Sequence, residues 1–148
     1  MELLPKAEAY IFNLFKDKLS CEYIYHDYLH SLRVANAIDE LIEGESISNQ
    51  DAVHLKLAAW FHDSGYIYGS ENHVEKSCEI FKDFINENDI KDVSVDAVCH
   101  LILATKCNYT PQNLLEMCIK DADFYHFTLE NYNDVCVLLK GELETVFN

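Results

Sequence analysis

Glycine and proline are scarce in this chain, with four and two residues among 148. Because both residues interrupt helices, their scarcity leaves room for long helical segments. No strand-like alternation of apolar and polar residues persists, whereas apolar residues recur three and four positions apart almost throughout. We therefore predict an all-α fold, a compact bundle of about six to seven helices forming a single domain over residues 1–148.

Positive charge is also scarce, because 11 lysines and arginines face 26 aspartates and glutamates and give a net charge of −15. Arg33 is the only arginine. Such a chain repels a phosphate polymer and lacks the basic stripe that binds one, so nucleic acid is excluded as a partner. A small phosphorylated substrate needs a local cation to offset this charge, which points towards a bound metal.

Long apolar runs are missing, since no window approaches the roughly 18 uninterrupted apolar residues of a membrane span. The N-terminus carries Glu2 and Pro5 instead of a basic start followed by an apolar run. The six cysteines never fall two or three positions apart, so the sequence has neither a zinc ribbon nor a redox Cys-x-x-Cys pair. We expect reduced thiols in the core, a cytoplasmic location and no direct membrane contact.

Apolar periodicity, capping residues and the few breakers predict where each helix begins and ends. Ser48 and Ser94 are expected to open helices, and Thr110 followed by Pro111 is expected to start another. The predicted helices cover about residues 5–19, 25–43, 48–61, 72–88, 94–104, 111–124 and 129–147.

Three short segments at predicted helix ends carry histidines and aspartates. They are Tyr-His-Asp-Tyr-Leu-His at 25–30, Phe-His-Asp at 61–63 and Lys-Asp-Ala-Asp at 120–123. Two histidines and two carboxylates make a mixed nitrogen and oxygen site that suits a divalent ion such as Mn, Fe, Ni, Co, Zn or Mg. Such an ion polarises a phosphoryl oxygen and lowers the pKa of bound water towards about 7, which is hydrolytic chemistry.

The order of a histidine, then a His-Asp pair, then a distant aspartate resembles the signature of the HD superfamily of metal-dependent phosphohydrolases. The resemblance covers nearly the whole chain. It is carried by Tyr-His-x-x-x-His at 25–30, by Trp-Phe-His-Asp-x-Gly-Tyr at 60–66, and by Asp-Ala-Asp at 121–123 with Ile-Leu-Ala-Thr-Lys at 102–106 before it.

This resemblance implies that His30, His62, Asp63 and Asp123 hold the metal. Asp121 competes with Asp123 for the last position. We favour Asp123, because in similar proteins the aspartate that follows a small residue in this segment binds the metal.

In the similar cyclic-nucleotide phosphodiesterases, the histidine four positions before the first ligand protonates the leaving oxygen, and His26 holds that position here. Positions 26, 30 and 33 also share one face of the predicted helix. Arg33 is therefore a candidate phosphate clamp, with an ion pair to an acid such as Asp27 as the alternative.

His73 stands where some relatives place a histidine for a second metal, so it is a candidate second-metal or outer-shell residue. In dinuclear relatives a further histidine follows the isoleucine of the fifth helix, but this sequence has Thr105 at the corresponding place. That departure argues against a second ion. Lys106 is a candidate phosphate contact or, alternatively, a cap of the fifth helix.

Other histidines and tyrosines receive weaker assignments. His54 is expected to face solvent and His100 to lie in the core or at its rim, while the role of His126 is open. Tyr66 and Tyr68 flank the His-Asp segment and are candidates for stacking on a base or covering the site.

The sequence thus predicts a metal-dependent phosphohydrolase, either a phosphomonoesterase or a phosphodiesterase. Metal-bound hydroxide would attack a phosphoester of a small molecule, for which a nucleotide is the favoured class, and His26 would protonate the departing oxygen. The alternative is a non-catalytic module of a larger signalling protein that senses a nucleotide or a metal. A purely structural helical bundle is the third hypothesis.

Overall fold

The computed structural model describes residues 2–146, which form seven α-helices and two 3₁₀ helices without any strand. The predicted all-α class and helix number are confirmed. Within the described residues, no helix combines the length and apolar character needed to cross a bilayer. The α-helices are α1 (Leu3–Lys18), α2 (Tyr28–Glu45), α3 (Asn49–Phe61), α4 (His73–Glu87), α5 (Val95–Ala104), α6 (Leu114–Asp123) and α7 (Tyr132–Val146), and the 3₁₀ helices are Ser64–Tyr68 and Tyr125–Thr128.

Helix α3 lies at the centre and packs against five other helices, α1, α2, α4, α5 and α6. From Leu55 onwards its sequence is apolar except for Lys56, and Leu55, Leu57, Ala58 and Ala59 are fully buried. A helical segment with so little polar surface must be covered by its neighbours, and each buried leucine contributes about 1.5–3 kcal/mol. The residues that follow α3 are therefore held in the interior.

The burial of α3 also corrects one expectation. His54 was expected to face solvent, and this is wrong, because the surrounding helices leave only 5% of the residue exposed. The charged neighbours of His54 in the sequence gave a misleading local signal.

Helix α2 begins at Tyr28, three residues later than predicted. Asp27 has extended backbone angles and accepts a hydrogen bond from the backbone N–H of His30 at 3.0 Å, so it is the N-cap. His26 consequently lies in the segment before the helix and does not share a helical face with His30 and Arg33. At the other end, Gly44 is inside the helix rather than beyond it.

The predicted starts of the last two helices are also displaced. Helix α6 begins at Leu114 instead of Pro111, because Asn113 caps it by accepting from the backbone N–H of Glu116 at 3.0 Å. The segment 125–128, which lay between two predicted helices, forms a 3₁₀ helix, and α7 begins at Tyr132 instead of Leu129.

The cysteines of this chain are free thiols, and Cys78, Cys99 and Cys118 are buried. Cys78 and Cys99 face each other across α4 and α5, where each thiol lies near the backbone carbonyl of the other residue. They pack as small apolar side chains, which agrees with the expectation of reduced core thiols.

Gly65 lies where the first 3₁₀ helix meets the start of α4. A Cβ at this position would lie 1.9 Å from the carbonyl oxygen of His73. The Gly65 N–H also donates a hydrogen bond to the Ser77 hydroxyl at 2.8 Å. This close approach brings the start of α4 beside the end of α3.

We expect Gly65→Ala to lower the free energy of unfolding by about 3 kcal/mol or more, because the added methyl group overlaps fixed backbone atoms. Gly44→Ala is the matched control, since nothing lies within 4 Å of its Cβ position and the site is helical. It should raise stability by about 0.5–1 kcal/mol. Urea denaturation followed by circular dichroism measures both, and equal stabilities would contradict this account of Gly65.

Candidate metal centre

The three predicted segments meet at one buried point. His30 comes from the first turn of α2, His62 and Asp63 directly follow α3, and Asp123 ends α6. The Nε2 atoms of His30 and His62 are 3.2 Å apart. Asp63 Oδ2 lies 3.3 Å and 3.2 Å from these two nitrogens, and Asp123 Oδ1 lies 3.0 Å and 3.5 Å from them.

The ring of His62 is oriented by its own helix. Its Nδ1 lies 2.9 Å from the carbonyl oxygen of Ala59, which can only accept, so Nδ1 carries a proton. In the neutral ring, Nε2 then carries no proton, and its lone pair points to the cluster. His30 has no such support, since its buried Nδ1 lacks a hydrogen-bond partner among residues 2–146.

Burial and charge shape the protonation of these four groups. Burial by itself would lower the pKa of His30 and of His62, but the two aspartates outweigh it and raise both pKa values above the ordinary range. Burial would raise the pKa of Asp63 and Asp123, but the histidines lower both well below the usual range. Metal uptake at these histidines displaces protons and is therefore favoured as the pH rises.

The donor spacing of three of these residues fits one ion. Bonds of about 2.1 Å around a single ion place neighbouring ligand atoms about 3.0–3.4 Å apart. The nitrogen and oxygen atoms of His30, His62 and Asp123 form a candidate metal site in which all ligand atoms lie within 4.8 Å of one another. Asp63 is not a member of this group, although its Oδ2 contacts both histidines. Asp121 is exposed on the other side of α6, so Asp123 is the residue in position.

A family model described as HD domain matches residues 27–128. The chain belongs to the HD domain family. The match covers well over half of the chain and contains all four residues of the cluster, whereas His26 and α7 lie outside it. No match was found among curated proteins or among solved structures.

A cavity of about 510 Å³ opens beside the candidate metal site of this HD domain. Asp63 and Asp123 lie in its wall together with three residues that the sequence analysis selected, namely His26, His73 and Lys106. The described lining contains no lysine or arginine besides Lys106, which forms an ion pair with Glu75.

Tyr66 is enclosed by two imidazole rings. His26 stacks on it with a ring-centre distance of 4.4 Å, and His73 does so at 4.1 Å. With both faces of the ring in contact, Tyr66 is not placed to stack on a base. Tyr68 is 62% exposed, and the Lys76 ammonium lies 5.7 Å from its ring centre.

Arg33 lies outside the cavity lining. Its guanidinium carbon is 5.9 Å from the ring centre of Tyr25, and the buried Nε and Nη2 atoms have no partner in the described part of the chain. No ion pair to Asp27 or another acid is found among residues 2–146 either. Contact between Arg33 and a phosphate thus stays a prediction.

Burial and the charges of His30 and Arg33 lower the pKa of His126.

His73 extends the cluster without completing a second one. Its Nδ1 donates to the Ser70 carbonyl oxygen at 2.8 Å, and its Nε2 lies 3.8 Å from Asp63 Oδ1. Thr105 lines the cavity, but its hydroxyl donates to the Ile102 carbonyl oxygen. Within the described residues no second group of three metal-binding side chains is found. His73 is therefore a neighbour of Asp63 and not a member of a second such group.

Sequence reasoning missed two buried glutamates. Glu116 holds the loop after α5: it accepts from the backbone N–H of Gln112 at 2.7 Å and pairs with His100 at 2.8 Å. Lys120 braces the same loop by donating to the carbonyl oxygen of Lys106 at 2.6 Å. The second is Glu142, whose carboxylate contacts the ring of His26. Neither acid differs in the sequence from an ordinary acid of a solvated helix face.

We expect Asp123→Ala to weaken Mn²⁺ binding by at least about tenfold, because even outer residues of metal sites contribute that much. Asp121→Ala removes the same charge two positions away on the exposed side of α6 and should bind Mn²⁺ like the parent. Equilibrium dialysis measures the affinity, and the Mn²⁺-dependent rise in melting temperature provides a second readout. If the Asp121 variant lost the metal and the Asp123 variant kept it, the assignment would be reversed.

Proposed function

We propose that this chain is a metal-dependent phosphohydrolase acting on a small phosphoester. The observation that carries the proposal is that one carboxylate oxygen of Asp63 and one of Asp123 each lie within 3.5 Å of the Nε2 atoms of both His30 and His62, in a chain of the HD domain family. The two aspartates line a cavity. His30, His62, Asp63 and Asp123 would hold the ion. When bound, it would polarise a phosphoryl oxygen and lower the pKa of a bound water towards about 7.

The residues around the cluster support the rest of the reaction. His26 lines the same cavity, and its Nδ1 is engaged by Glu142, so Nε2 is the nitrogen left to serve a ligand. A general acid must lie in hydrogen-bond reach of the atom that it protonates. His26 is accordingly the group that would supply a proton to the leaving oxygen.

Size and charge support a small substrate. The cavity volume of about 510 Å³ falls within the roughly 300–1,000 Å³ of small-molecule sites. Tyr25, Phe124, Leu139 and Leu143 give part of the wall an apolar character, which suits the base of a nucleotide. The net charge of −15 disfavours a polymer of phosphates.

We expect the purified chain to hydrolyse at least one member of a panel of nucleotides and sugar phosphates with Mn²⁺, Ni²⁺, Co²⁺ or Mg²⁺. Asp63→Ala should lower kcat/KM by at least about a hundredfold, since it removes a carboxylate from the centre of the cluster. Asp121→Ala serves as the control with parental turnover. Hydrolysis by the Asp63 variant at the parental rate would end the proposal, and stoichiometric nucleotide binding without turnover would favour the sensing module.

We expect Lys106→Met to raise KM for a phosphoester about three- to tenfold with little change in kcat, because it removes the ammonium group from a cavity that has no other lysine or arginine in its described wall. Lys91→Met is the matched control, since the Lys91 side chain is 77% exposed and forms a surface ion pair with Asp89. Steady-state kinetics at constant ionic strength separate the two parameters. An unchanged KM would remove Lys106 from substrate binding.

A further inference from the structure

Helix α7 is attached to the bundle in an unusual way. It packs mainly against the second 3₁₀ helix, and only Val135 and Glu142 among its described residues are buried. Val137 and Leu143 remain exposed. Glutamate is seldom buried unless it is paired, yet Glu142 is 1% exposed. The partners of this carboxylate therefore show what its burial provides.

The two oxygens of Glu142 have separate partners. Oε2 accepts from the backbone N–H groups of Tyr25 at 2.8 Å and of His26 at 3.0 Å. Oε1 contacts Nδ1 of the His26 ring. Burial would raise the pKa of Glu142, but the hydrogen bonds and charge of His26 lower it below the ordinary value, so the group is a carboxylate. Oε2 thus anchors the backbone before α2, and Oε1 holds the His26 side chain.

The His26 ring is fixed in two independent ways. The carboxylate can only accept, so Nδ1 carries a proton and Nε2 is left for the cavity. The face of the ring lies on Tyr66 with an interplanar angle of 20°. His26 precedes the capped start of α2, so no helical hydrogen bond holds it. Tyr25 and His30 meet the ring in edge contacts at 4.6 Å and 5.7 Å, and Glu142 is the hydrogen-bond partner that the structure gives to Nδ1.

We propose that Glu142 is a positioning residue for His26, through which the docking of α7 sets the proton donor of the site. The inference rests on the proposed function and adds to it a residue outside the matched range 27–128. In the step concerned, the oxygen of a deprotonated water forms a bond to phosphorus while the bond between phosphorus and the leaving oxygen breaks, and the electron pair of the broken bond goes to the leaving oxygen. The oxygen takes the proton from Nε2 of a doubly protonated His26, Nδ1–H stays on Glu142, and water later returns a proton to the ring.

The test compares leaving groups. With Mn²⁺ present, Glu142→Gln should lower kcat for a primary alkyl phosphate about ten- to hundredfold, because proton donation to an alkoxide is worth about 10²–10⁴. For p-nitrophenyl phosphate, whose leaving group needs no proton, kcat should fall less than about threefold. KM should change little for either ester. Equal losses on both esters would show that Glu142 is only structural, and no loss on either would show that it is idle.

A double-mutant cycle tests whether Glu142 acts through His26. In a His26→Ala background, Glu142→Gln should cause no further loss on the alkyl ester, since the group it orients is gone. Multiplying losses would overturn the proposal. The control is Glu144→Gln, which removes the same charge two positions along α7 from a side chain that is 62% exposed, and it should retain parental rates.

A readout without metal or turnover separates this inference from the proposed function. In the metal-free protein, ¹⁵N-edited NMR should find the His26 proton on Nδ1, and Glu142→Gln should redistribute it between the two nitrogens. An unchanged distribution would overturn the inference even if the enzyme is active, whereas the predicted change in an inactive protein would count against the phosphohydrolase alone. If the Gln variant does not fold, Glu142→Asp replaces it, because the charge is kept while the carboxylate is drawn back by one methylene.

Discussion

The carboxylates of Asp63 and Asp123 meet the same pair of imidazole nitrogens, and that arrangement needs positive charge at the nitrogens. Both carboxylates contact the Nε2 atoms of His30 and His62, in an interior that screens charge poorly. Protons on the histidines supply the compensation in the metal-free chain, as the raised histidine pKa values indicate. A divalent ion bound at this candidate site would supply the compensation with greater charge.

The helices make this arrangement possible by ending where it lies. The last turn of helix α3 is buried, so the His62 and Asp63 pair that directly follows it lies in the interior. Helix α2 contributes His30 from its first turn because Asp27 caps it, and α6 contributes Asp123 as its last residue. In a chain with a net charge of −15, the candidate site for a cation therefore lies where these helices end.

The sequence supported the all-helical class and the segments that meet at the cluster, because helical periodicity and a spaced set of histidines and aspartates are readable in one dimension. Prediction from the sequence failed where a contact with a distant residue, or one that competes with the local pattern, determines the structure. His26 was placed in a helix because its spacing to His30 is helical, whereas capping by Asp27 ends the helix before it. His54 has charged neighbours in the sequence but is covered by other helices. Glu142 reaches His26 across 116 positions, and no local pattern reports such a contact.

The Tyr66 ring is stacked between the rings of His26 and His73, and all three residues line the cavity. One imidazole belongs to the segment before α2 and the other to the first turn of α4, so three stacked rings span the distance between two separate parts of the chain. Rings in face contact resist sliding apart only weakly but cannot be compressed. The stack thus fixes the separation of these two parts of the chain where they line the cavity.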